Sequence, residues 1–173
     1  SAGADINDKL NLGLNVKTIF TSIDKYSANG ISVDFGLIYN FNSKLLIGLK
    51  MTDLFSKYTW DGLDDSSSSF EEDMPTTNSI GFHFSPSKDI ETFYNLEHYN
   101  VANSSYYRNR FGLEIKKWKY SFRGGIVQNR GTGKYEFRFL IGIGSELGTV
   151  QSHKVRLDYC IDLGKENEGI SNL

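Results

Sequence analysis

The chain has 173 residues, enough for one ordinary domain, and its 19 Lys and Arg nearly balance 21 Asp and Glu for a net charge of −2. That balance gives no electrostatic case for nucleic acid as a partner. Mean hydropathy is −0.39, and no segment approaches the ~20 apolar residues of a membrane helix. A transmembrane barrel stays open, because each of its strands needs only one apolar face.

Ten Tyr, 12 Phe and 17 Gly against 2 Pro suit long strands with close backbone contacts. Cys160 is the single cysteine, which excludes an internal disulfide and reads as a small packed residue rather than a nucleophile. The opening SAGADINDK has neither the basic start nor the apolar run of a secretory signal.

Alternation of apolar and polar residues begins with Leu10, Leu12, Leu14, Val16, Thr18 and Phe20 on one face. After the turn-rich DKYSANG, the stretch GISVDFGLIYNF puts Ile31, Val33, Phe35, Leu37, Tyr39 and Phe41 on one face. A third alternating run goes from KLLIGLKM through LFSKYTW to Trp60. Residues 77–85 and 90–99 form a pair, as do 107–115 and 118–127, and 134–144 and 153–161 complete the set. The reading is about nine strands of roughly 10 residues, the length a tilted strand needs to cross a bilayer. No amphipathic helix stands out.

The connections at 42–44, 85–89 and 116–117 are tight, whereas 61–76, 99–106 and 128–133 are longer and polar or aromatic. Short on one side and long on the other is the pattern of a transmembrane barrel, with short periplasmic turns and longer outer loops. SELGTVQS (145–152) breaks it, being long on the short side. With 42–44 in the periplasm, strand 153–161 runs outward. Barrels of this class end in the periplasm, so at least one further strand is expected after Leu173, and more before Ser1.

The face opposite the large apolar residues carries Asn11, Asn15, Lys17, Asp34, Asn40, Arg110, Glu114, Arg123, Glu136, Arg138, Arg156 and Asp158 in mid-strand. In a barrel these side chains meet in the lumen, where charges are tolerable only when paired. Pairing of strands 10–20 and 31–41 around Tyr26 places Lys17 near Asp34, and a turn at Lys117 places Glu114 diagonal to Arg123. The expected lumen ion-pair set is Lys17, Asp34, Glu114, Arg123, Glu136, Arg138, Arg156 and Asp158. A soluble β-sandwich with a charged outer face is the competing reading. Strand length, and an aromatic face that continues over nearly every strand, favour the barrel.

In the 61–76 loop, Asp64, Asp65, Glu71, Glu72 and Asp73 flank SSSSF. Ca²⁺ wants several hard oxygens, but EF-hand spacing is missing, and a solvated outer loop is the simpler reading. Phe70 and Met74 in the same loop are candidates for docking a partner. His83, His98 and His153 lack metal-ligand spacing, and His83 falls opposite Phe82 and Phe84, on the lumen side. GIGSELG has the wrong spacing for a dinucleotide fingerprint, and no nucleophile elbow is present. Neither an enzyme nor a cofactor is expected.

LGLNVKTI (12–19), ISVDFGLIY (31–39), LLIGLKMTDL (45–54) with Trp60, FGLEI (111–115), FRGGI (122–126), LIGIG (140–144), and VRLDYCI (155–161) followed by GISNL come in an order that resembles the PorV/PorQ branch of the FadL-like outer-membrane barrels. The resemblance implies a barrel of about 14 strands in a bacterial outer membrane. It implies a non-enzymatic role in type IX protein secretion or surface attachment of cargo, with outer-membrane lipid and secretion-system proteins or secreted cargo as partners. The alternative within the same superfamily is a transporter of hydrophobic compounds, against which stands the charged lumen face.

Overall fold

The computed structural model describes residues 1–24, 26–61, 70–101, 104–131, 133–150 and 153–164. Its strands are β1 (Ala2–Asn7), β2 (Leu10–Ile23), β3 (Tyr26–Asn42), β4 (Leu45–Asp61), β5 (Phe70–Asp73), β6 (Thr76–Ser87), β7 (Ile90–Val101), β8 (Ser104–Lys117), β9 (Tyr120–Gly131), β10 (Lys134–Val150) and β11 (His153–Asp162). They make one 11-stranded antiparallel sheet in the order β1-β2-β3-β4-β6-β7-β8-β9-β10-β11, with β5 paired to the end of β4. The all-β antiparallel expectation holds. A two-layered sandwich does not, because a second sheet is missing among the described residues.

Two strands go beyond the nine read from the sequence. β1 has a single large apolar residue, Ile6, and β5 is the acidic run FEED, so neither carries an alternating signal. The other strands are longer than expected and absorb most of the long connections. β10 continues through 145–150 with a bulge between Glu146 and Gly148, and pairs β11 up to Val150↔His153. Residues 145–150 of the connection that broke the short-turn pattern are therefore strand.

Short turns at Asp8–Lys9, Ser43–Lys44, Lys88–Asp89 and Trp118–Lys119 all lie at one end of the sheet. Two of them use the same local chemistry. Asn7 Oδ1 accepts the amides of Lys9 and Leu10 at 2.9 and 3.0 Å, and Asn42 Oδ1 accepts those of Lys44 and Leu45 at 2.8 and 2.9 Å. An Asn side chain bonding its own downstream backbone fixes a tight turn without a glycine. The β8–β9 turn falls at Trp118, whose φ is 56°, and not at Lys117.

The two faces are unlike in curvature as well as in chemistry. Arg156 on β11 bonds Glu114 on β8 at 3.1 Å, although three strand spacings of about 4.8 Å separate their backbones. Side chains can close that gap only where the sheet curls toward them, so the charged face is the concave one. The convex face bears Phe20, Tyr39, Phe41, Phe122, Phe137, Phe139, Ile141 and Tyr159, each between 36% and 78% exposed. Among the described residues the buried hydrophobics are Ala28 and Met74 alone. An apolar surface this continuous is unstable in water and calls for a non-aqueous neighbour.

β4 carries a local irregularity. Against β3, its pairing steps from Phe35↔Met51 to Val33↔Leu54 to Ile31↔Lys57, so each pair of β3 residues meets three on β4. The extra residues are accommodated at Asp53 (φ 58°) and Phe55 (φ 53°). Beyond this double bulge β5 adds to β4, with Lys57 and Glu71 paired at 2.8 Å and Trp60 Nε1 donating to Glu72 at 3.0 Å.

Candidate functional site

The concave face holds three polar networks and, between them, a groove. The first network braces β2, β3 and β4. Lys17 Nζ lies 2.8 Å from Asp34 Oδ1 and 2.5 Å from Asp53 Oδ1. Asn15, directly opposite Asp34, donates to it at 3.0 Å. Asp53 also accepts from the hydroxyl of fully buried Ser32 at 2.8 Å. Simple alternation would place Asp53 on the convex side, and the bulge turns it inward. β2 and β3 pair from Ile23↔Tyr26 and not around Tyr26, so Lys17 stands opposite Ser32 and reaches Asp34 diagonally.

The second network joins β7 to β10 toward the end of the sheet away from the short turns. Arg110 makes a two-pronged contact with Glu97 at 3.0 and 2.8 Å. Arg108 donates to Tyr99 and Asn129 at 3.2 and 2.9 Å. Asn129 then donates to Glu136 at 3.1 Å, so an amide meets the Glu136 carboxylate.

The third runs from β6 to β11 near the short turns. His83 Nε2 is 3.5 Å from Glu91, whose other oxygen binds Lys116. Lys116 is 3.8 Å from Glu114. Glu114 Oε1 accepts from Arg123 at 3.0 Å and from Arg156 at 3.1 Å. Asp158 Oδ1 accepts from the same two arginines, at 2.6 and 3.0 Å. Glu114 and Arg123 are directly opposite and not diagonal. Arg123 and Arg156 reach one another's partners by passing over β10 where it offers Gly142 and Gly144. A side chain at Gly144 would collide with the Asp158 carboxylate and the Arg156 guanidinium. Farther out, Arg138 binds Asp162.

The groove lies on the same face across β2, β3, β4, β6 and β7. Gly13 stands opposite Gly36 and Gly48 opposite Gly81. A Cβ at Gly36 would meet nothing within 4 Å, and those at Gly13 and Gly48 would meet only backbone oxygens at 4.0 and 3.9 Å. These glycines therefore open space rather than permit a close backbone contact. The resulting cavity has a volume of about 430 Å³ and a mainly apolar lining, with Ile38, Lys50 and Asn95 among its walls. A second cavity of about 450 Å³ adjoins it toward the short turns, between Asn40, Leu46, His83 and Ser85. The upper volume falls within the range of small-molecule sites.

The outer-loop candidates divide. Asp64 and Asp65 lie outside the described residues. Glu71, Glu72 and Asp73 belong to strand β5 rather than to a loop. Phe70 is 55% exposed, but Met74 is buried beside Gly30, which removes it as a docking side chain. No group of three or more metal-ligating side chains occurs among the described residues. Cys160, read as packed, is exposed on the concave face opposite Gly142.

Sequence reasoning missed Asp53, hidden by the bulge, and Glu91 and Lys116, which sit at strand ends. It also missed the groove. One glycine on the polar face of each of four strands, Gly13, Gly36, Gly48 and Gly81, was the available signal.

No protein-family model matches the sequence, and no curated protein matches it. The fold does match solved structures. The TodX deltaS2S3 mutant monoaromatic hydrocarbon channel superposes with a TM-score of 0.61 at 10% identity, over 94% of this chain and 63% of that one. The CymD monoaromatic hydrocarbon channel superposes with a TM-score of 0.60 at 10% identity, over 92% of this chain and 66% of that one. The chain thus spans less than two thirds of either channel.

Proposed function

We propose that the chain forms part of the wall of a FadL-like outer-membrane β-barrel that passes small apolar molecules, and that it is a conduit rather than an enzyme. The observation that carries this reading is the mainly apolar groove on the concave face of a sheet whose fold is shared with two monoaromatic hydrocarbon channels. The convex face supports it from the other side, since its continuous aromatic and aliphatic cover suits acyl chains.

The charged lumen face, which spoke against uptake, loses its force once the charges are placed. Apart from Lys50 on the groove wall, they are gathered mainly into paired networks on either flank of the groove. This reading replaces the secretion role that the PorV/PorQ resemblance implied, because both fold neighbours are channels and the outer segment offers no exposed Met74 for cargo.

The test is uptake of labelled toluene by cells carrying the full-length protein. The reading expects faster uptake than in cells without it, and a loss of most of that gain when Gly36→Leu fills the groove. Equal uptake with and without the protein would sink it.

A further inference from the structure

Among the described residues, inward-pointing cations within the strands are mostly paired; Lys134, the first residue of β10, is not, and it does not line the cavity. Lys17, Arg110, Lys116, Arg123, Arg138 and Arg156 are each matched to a carboxylate, and Arg108 is held by Asn129 and Tyr99. Lys50 has no side-chain partner among the described residues. It stands between Gly36 on β3 and Ser79 on β6, on the wall of the 430 Å³ cavity.

An isolated ammonium beside an apolar cavity is an incomplete ion pair. Lys50 is itself exposed, so its pull on an anion is that of a surface charge, and it favours a carboxylate because no side chain competes for it. Beneath it Gly13, Gly36 and Gly48 present backbone with no side chain within 4 Å of an added Cβ, and a planar ring can lie there without displacing a side chain. We infer that Lys50 is a specificity-determining residue of the groove and selects monoaromatic molecules that carry a carboxylate over their neutral counterparts. This rests on the channel reading for its biological meaning, and the binding site itself is testable separately.

The experiment measures binding of benzoate and of benzamide, its neutral isostere, to the full-length protein in detergent at neutral pH by isothermal titration calorimetry. Benzoate is expected to bind roughly two- to fivefold more tightly than benzamide, the effect of one exposed ion pair. Lys50→Met removes the difference by weakening benzoate alone, and Lys50→Arg retains it. Gly36→Leu, which fills the floor, weakens both probes. Benzoate and benzamide binding equally to the unaltered protein, or a Lys50→Met protein that still prefers benzoate, overturns the assignment. Preferential benzoate binding without any gain in toluene uptake by cells leaves the site standing and removes the channel reading.

Discussion

Individual side chains on the concave face set what may be changed without cost. Glu114 is only 12% exposed at its side chain and serves Arg123 and Arg156 together. Glu114→Ala leaves two guanidiniums without that partner. A fully buried broken pair costs about 3–5 kcal/mol, and the one-third exposure of both arginines lowers the expected loss to about 2 kcal/mol. Denaturant unfolding of the detergent-solubilised protein reads this directly. Gly144→Val should cost about 1–3 kcal/mol by overpacking against Asp158 and Arg156. Gly36→Ala should be nearly neutral, since nothing lies within 4 Å of the added carbon. If Gly36→Ala destabilised as much as Gly144→Val, the distinction between an open floor and a tight crossing would be lost.

The ionic partners were partly legible at this scale. Lys17 with Asp34 and Glu114 with Arg123 follow from alternation plus a guess at the turn. The guess was off by one or two residues, yet long side chains tolerate that error. Asp53 was not legible, because its place depends on a bulge that shifts parity, and no residue type announces a bulge of this kind.

Among the elements, β4 is the informative strand. Phe55 holds φ at 53°, a region disfavoured for bulky residues at a cost of about 1–3 kcal/mol. Phe55→Gly should therefore leave stability unchanged or raise it, whereas Asp53→Ala should lower it by uncoupling Lys17 and Ser32. Thermal unfolding of the two variants checks the sign of each. Beyond the bulge, the hydrogen bond from Lys57 holds the Glu71 carboxyl below its ordinary range. A carboxylate with a lowered folded pKa keeps its pairing above the ordinary carboxylate pKa and loses it as pH falls through the lowered value. NMR titration of Glu71 should show that depressed midpoint, and Lys57→Met should return it to normal. Both groups are fully exposed, so the pair orders the β4–β5 extension without deciding global stability.

Strand existence was legible because period-two alternation survives in long runs. Strand ends were not. β7, β8 and β9 continue through polar residues such as Asn100, Ser105 and Asn129 that look like loop in sequence yet find partners across the sheet. β1 and β5 lacked the alternation on which recognition depends.

At the largest scale, the described residues form a single curved sheet with almost nothing buried, unlike stable folds in water, which bury most of their apolar surface. Its stability must come from what lies against the convex face. The account holds that lipid meets that face and that water and permeant meet the concave one. The groove, the paired charges around it and the exposed Cys160 on the same side all follow from that division.

The measurement that tests it most directly is single-cysteine scanning along β10 in a Cys160→Ser background, with the full-length protein reconstituted in vesicles. Each thiol carries a fluorophore, quenched either by brominated lipid or by iodide. Labels at 137, 139 and 141 should be quenched by lipid and those at 136, 138 and 140 by iodide, alternating residue by residue. Iodide quenching at every position, without alternation, would contradict a membrane-embedded wall and the channel reading built on it.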